Sequence, residues 1–111
     1  MIRSITLLKL RPGIDPEETW KYWREKHIFW ARECPHPEAQ KYTIARVVHC
    51  ISEDDIYGLA EVWFDNMEEA IRTMKRLAHT EPDELLGKRV IPTRIVLEEE
   101  EIPLKEANLG W

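Results

Sequence analysis

Residues 15–32, DPEETWKYWREKHIFWAR, read as one amphipathic helix with a clear start and a tryptophan-rich inner face. Asp15 is a good N-cap, Pro16 occupies the first helical position and Glu18 completes a capping box. At about 100° per residue, Trp20, Trp23, His27, Trp30 and Ala31 fall within an arc of roughly 100°, the width of a stripe that packs on another layer. Lys21, Arg24, Glu25 and Lys26 point elsewhere. A titratable imidazole among three indoles is either a satisfied core group or the working group of an apolar pocket.

The segments around this helix read as strands. Residues 2–11 are rich in β-branched and apolar side chains and end at Pro12-Gly13. Pro35-His36-Pro37 stops the helix. Residues 40–50 alternate, with Tyr42, Ile44, Arg46, Val48 and Cys50 on one face. Ser52-Glu53-Asp54-Asp55 is a polar connection of hairpin length, and residues 57–65 form the next strand. Asp65 or Asn66 caps a second helix whose apolar side carries Met67, Ala70, Ile71, Met74, Leu77 and Ala78. A short turn follows over residues 82–86. Residues 92–102 are a last strand at a sheet edge, because Pro92 cannot donate to a ladder and residues 98–101 are four glutamates.

The order β-α-β-β-α-β predicts an α+β, ferredoxin-like domain: a four-stranded antiparallel sheet with both helices on one face. The domain spans residues 1–102. Residues 103–111 form a C-terminal tail with enough apolar surface to pack on a partner. The first strand offers Ile5 and Leu7 on one face, Leu8 and Leu10 on the other. The third offers Ala60, Val62 and Phe64 against Leu59 and Trp63. A sheet that is apolar on both faces but covered on one predicts a homodimer joined through the open face.

Composition narrows the function. A chain of 111 residues is one domain, and no apolar run approaches the ~20 residues of a membrane span. The N-terminus runs straight into a strand with no leader-like pattern, so a cytoplasmic location is expected. The formal charge of −5 and the scattered basic residues argue against nucleic-acid binding. Cys34 and Cys50 do not make a disulfide framework. Cys50 is expected as a small buried hydrophobe at a strand end, and Cys34 as a partly exposed thiol. Charged residues reach 33%, while side-chain amides are confined to Asn66, Asn108 and Gln40, a pattern of proteins from hot environments.

At Trp23-Arg24-Glu25-Lys26-His27, Tyr42 and Ala60-Glu61-Val62-Trp63-Phe64-Asp65, the chain resembles the EthD family of the dimeric α/β-barrel superfamily. The resemblance runs over most of the chain, roughly residues 1–101, and Glu81-Pro82-Asp83-Glu84 matches the family's landmarks after the second helix only loosely. It implies a small dimer with a pocket between sheet and helices. The family's founding examples accompany ether-degrading oxidation systems, and related domains act on polyketides and aromatic compounds as cofactor-free dehydratases, cyclases, isomerases or oxygenases.

His27 leads the candidates for chemistry, since imidazole takes and returns a proton near neutral pH without a cofactor. Tyr42 can donate a hydrogen bond to a carbonyl or enolate oxygen; its plainer role is that of an aromatic strand residue. Glu61 can orient His27, act as a second base, or pair with an arginine, and strand parity leaves its face open between pocket and dimer partner. Trp20, Trp23, Trp30 and Trp63 either line a cavity for a flat hydrophobic or aromatic ligand or simply fill the core. No metal site is expected, because histidines at i, i+4 and CxxC pairs are absent. Nothing recognisable binds flavin, haem or a nucleotide, so no cofactor is expected. Two readings follow: a cofactor-free proton-transfer enzyme, or a non-catalytic accessory protein holding a ligand for an oxidative degradation system.

Overall fold

The computed structural model describes residues 2–33 and 39–104. Strand β1 (Ile2–Leu10) turns through Arg11-Pro12-Gly13-Ile14, where the Ile14 amide donates to the Arg11 carbonyl at 3.3 Å and Gly13 takes φ +79°. This is the type II turn that a Pro-Gly pair favours. Helix α1 (Pro16–Tyr22) starts as its sequence demands: the Asp15 carboxylate accepts from the Glu17 and Glu18 amides at 2.8 and 3.3 Å. One π-helical turn (Trp23–His27) then leads without a break into α2 (Ile28–Glu33). Strands β2 (Lys41–Arg46) and β3 (Gly58–Phe64) come next, followed by α3 (Met67–Ala78), a second π-helical turn (Leu85–Arg89) and β4 (Val90–Glu98).

The strands form one antiparallel sheet in the order β2-β3-β1-β4, the ferredoxin-like arrangement expected from the sequence. Register fixes two faces. Ser4, Leu8, Val62, Phe64 and Val90 are buried beneath the helices. Ile5, Leu7, Leu59, Glu61, Trp63, Ile91 and Ile95, at the alternate positions, share the other face. Ile91 and Ile95 remain 49% and 40% exposed there. Among the described residues, no helix is long and apolar enough to cross a membrane.

Two packing centres hold the layers together. Leu8, Trp23, Leu85 and Val90 form one; Val62, Phe64 and Ala70 form the other. Trp23 is fully buried and sits where β3 begins, on Gly58. A Cβ at Gly58 would lie 2.7 Å from both the Trp23 ring and the Ala45 carbonyl oxygen, so only hydrogen fits. Trp20 packs edge-on against Trp23 with ring centroids 5.4 Å apart, and Arg24 and Arg46 cover it. The Tyr57 hydroxyl donates to the Pro16 carbonyl at 2.7 Å, tying the approach to β3 to the start of α1.

Several boundaries differ from the sequence reading, each for lack of a partner. Strand β2 ends at Arg46; the Val47 amide still donates to the Tyr57 carbonyl at 2.8 Å, and beyond it Val48 is 94% exposed. Cys50 is therefore half-buried in a loop, donating to the Asp54 carbonyl at 2.9 Å, instead of sitting buried at a strand end. Strand β4 ends at Glu98 because its partner β1 begins at Ile2. The buried side of α3 centres on Ala70 and Thr73, leaving Met67 and Ile71 at its exposed margin. Cys34, His36 and most of the tail, including Leu109 and Trp111, lie outside the described residues.

Two substitutions test this packing. Gly58→Ala is expected to destabilise the fold by about 1–3 kcal/mol through overpacking, seen as a lower midpoint in denaturant with an unchanged slope. Asn66 caps α3, its side chain accepting from the Glu69 amide at 2.9 Å, while Asp65 instead accepts from Gln40 at 3.2 Å. Asn66→Ala should therefore cost about 1 kcal/mol, and Asp65→Ala less.

Candidate functional site

The pocket follows from the side chains of one row across the sheet. Ile44, Ala60, Thr6 and Arg94 are cross-strand neighbours, all on the helix-covered face. Ala60 and Thr6 are short, so the layers cannot close above them as they do above Leu8 and Val62. A narrow cleft remains there, with a cavity volume of about 30 Å³ beneath an open mouth. Thr6, Ala60, Val62, Tyr42 and Arg94 line it from the sheet, Trp23, His27, Trp30 and Leu77 from the helices, and Leu85 and Leu86 from the second π-helical turn.

His27 ends the first π-helical turn and is only 5% exposed. Such turns insert extra backbone into a helix and recur at functional sites. Here the turn carries Trp23 at its start and His27 at its end, both buried and both facing the cavity. His27 Nδ1 lies 2.6 Å from Asp83 Oδ2 in a contact almost sealed from solvent. Asp83 is itself held, because its Oδ1 accepts from the Leu86 amide at 3.2 Å and its carbonyl from the Gly87 amide at 2.8 Å. The Trp30 indole lies 5.1 Å from the imidazole and donates to the Glu81 carbonyl at 3.1 Å. Helix and loop are thus pinned together on both sides of the contact. A carboxylate acceptor selects the tautomer with hydrogen on Nδ1, which leaves the lone pair on Nε2 for a ligand.

Tyr42 is the cavity's second proton-bearing group. Burial pushes its phenol up to about 12, the Trp23 indole acts in the opposite direction, and the nearby Asp83 carboxylate adds to the rise. At neutral pH Tyr42 is therefore a protonated hydroxyl, suited to donate. The Trp23 indole nitrogen is buried with no acceptor at bonding geometry, although its dipole reaches Tyr42. At the mouth, Arg94 keeps part of its surface in solvent, yet desolvation lowers its pKa.

The structure gathers His27, Tyr42, Trp23 and Trp30 around one cavity and separates the other sequence candidates from it. Glu61 is a correction: parity places it on the open face, where Arg3 binds it at 3.2 Å, so it neither orients His27 nor faces the pocket. Trp63 is another, for the same reason; Lys41 and Arg3 lie over its ring at 4.8 and 5.7 Å. Trp20 stays on the helix side but is stacked against Trp23 and the arginines rather than lining the cavity. Asp83 and Arg94 were missed. Asp83 lies in the acidic loop after the second helix. Arg94 shares the parity of Val90 and Val96, which marks it as a charge on the inward set of an edge strand.

Comparison with known proteins places this architecture. An EthD family protein from Bacillus halodurans C-125 superposes with a TM-score of 0.60 at 18% identity, covering 90% of this chain and 100% of that one. SnoaB, a cofactor-independent oxygenase from Streptomyces nogalater, gives 0.58 at 12% identity, covering 92% and 95%. A dimeric protein of unknown function and ferredoxin-like fold from Bacteroides fragilis gives 0.52 at 15%, covering 88% and 95%. No curated protein sequence matches. The family model for the EthD domain matches residues 11–85, which takes in α1, the His27 turn, β2, β3, α3 and the Asp83 loop. On that match, over more than half its length, the chain belongs to the EthD family.

Proposed function

We propose that this EthD-family chain is a small-molecule pocket enzyme that moves protons on an aromatic or polyketide-like compound without a cofactor, as a dehydratase, cyclase or isomerase does. The observation that carries this reading is the buried 2.6 Å contact between His27 Nδ1 and Asp83. It orients the ring and leaves Nε2 as a base in an aromatic-lined cavity. Nε2 takes a proton from the substrate carbon next to a carbonyl; the electrons of that C–H bond become the C=C bond of an enolate, and the carbonyl π pair moves onto oxygen. The Tyr42 hydroxyl donates to the enolate oxygen so formed. Protonated His27, held by the Asp83 carboxylate, returns the proton at another position or to a departing hydroxyl. SnoaB, described as a cofactor-independent oxygenase, supports the idea that this fold handles organic substrates unaided.

The reading includes a second copy of the chain on the open sheet face. Ile5, Leu7, Leu59, Trp63 and Ile95 form an apolar surface that no element of the described chain covers. The dimeric description of the Bacteroides fragilis neighbour supports the same assembly.

Two measurements test these statements. Wild type and His27→Asn are screened against aromatic and polyketide-like ketones and hydroxy-ketones. Asparagine keeps a donor near the Nδ1 position for Asp83 but removes Nε2, so kcat should fall about 10²–10⁴-fold while thermal stability stays near wild type. Binding without turnover by wild type across the panel would transfer the protein to the accessory, ligand-holding reading. Ile95→Glu places a charge in the middle of the open face. Light scattering should then report a dimer for wild type and a monomer for the variant; a wild-type monomer at micromolar concentration overturns the assembly.

A further inference from the structure

The cavity carries a cation that the proton-transfer scheme does not use. Arg94 enters from β4 on the helix-covered face, directly across from Thr6, and lines the same cavity as His27 and Tyr42. Its setting differs from that of the arginines that brace the fold. Arg3 binds Glu61 and Glu99, Arg46 binds Glu17 and Arg89 binds Glu84, all between 2.9 and 3.2 Å. Arg94 has no acidic partner among the described residues. The Asp83 carboxylate behind His27 is engaged by His27 and by the Leu86 amide.

The rest of the lining points the same way. Tyr42 and Thr6 add hydroxyls. Between these donors the walls are apolar: Leu8, Ala60, Val62, Leu77, Leu85 and Leu86. A guanidinium presents a planar fork of donors that matches a carboxylate better than a single oxygen, and partial desolvation strengthens that attraction.

We propose that Arg94 is the specificity-determining residue of the cavity and that it selects ligands carrying a carboxylate on an aromatic or similarly flat apolar body. The carboxylate sits at the mouth against the guanidinium, and the apolar body lies beside it against the half-buried Trp30. This inference rests on the small-molecule reading above but is independent of whether turnover follows. In the enzymatic scheme Arg94 is a binding group, which leaves the acid–base work to His27.

The test measures binding directly, by quenching of tryptophan fluorescence, for matched pairs: salicylate with salicylamide, and 2-naphthoate with 2-naphthamide. Each carboxylate should bind about tenfold or more tightly than its amide. Arg94→Gln should erase that difference and leave amide affinity unchanged, whereas Arg94→Lys should keep part of it. The side chain reaches solvent at an edge strand, so both variants should fold, which a melting curve verifies. Equal binding of acid and amide, a preference that survives Arg94→Gln, or no binding of any carboxylate overturns the proposal. Arg94-dependent binding of acids with no turnover would uphold it and remove the enzymatic reading; turnover of neutral compounds with no preference for acids would do the reverse.

Discussion

Everything in this domain depends on a tryptophan that needs a glycine. Trp23 is the largest fully buried side chain, and it finds room only because Gly58 lacks a Cβ. That contact joins the start of the first π-helical turn to the first residue of β3, and so sets the distance and rotation of the helix relative to the sheet. His27 lies at the other end of the same turn, and its position over the cavity follows from where Trp23 is seated. Packing of this kind leaves little freedom, since interiors close to crystal density respond to a single added methylene.

The second constraint is electrostatic and brings together parts of the chain 56 residues apart. Asp83 is nearly buried, and a carboxylate in that state is tolerable only when its oxygens are occupied. The Leu86 amide takes one and His27 the other. The loop after α3 therefore does more than connect: it supplies the anion that fixes an imidazole ring, while Trp30 clamps the same loop through Glu81. A substitution that loosens the loop reaches the ring through this contact even when it touches no cavity atom.

Much of the architecture was legible in the sequence. Caps at Asp15 and Asn66, the Pro12-Gly13 turn and the alternation of the strands give element order and sheet topology from local chemistry alone. The helical stripe also identified Trp23, His27 and Trp30 correctly as one face. What could not be read is anything set by pairing between distant strands. Glu61 and Val62 are neighbours in sequence, yet they occupy opposite faces, and only the register with β1 says which one sees the cavity. Strand ends failed for the same reason: alternation continues to Cys50, but the pairing ends with the Val47–Tyr57 bond. Asp83 was illegible because one carboxylate among Glu81, Asp83 and Glu84 has no periodicity to mark it. The π-helical turn was equally hidden, since a 3.6-residue period assumes that every turn is alike.

The alternation along β3 has a consequence for how this chain can change over time. Ala60 and Val62 belong to the cavity, Glu61 and Trp63 to the open face, so two unrelated surfaces are written into one seven-residue string. Point substitutions can alter either surface alone. A single-residue insertion or deletion inside the strand cannot, because it exchanges the two sets, carrying a carboxylate and an indole into the cavity and two small aliphatic groups outward. Variation in length is thereby confined to the 47–57 connection, where extra residues shift neither set, and the central strand is left to diversify only by replacement.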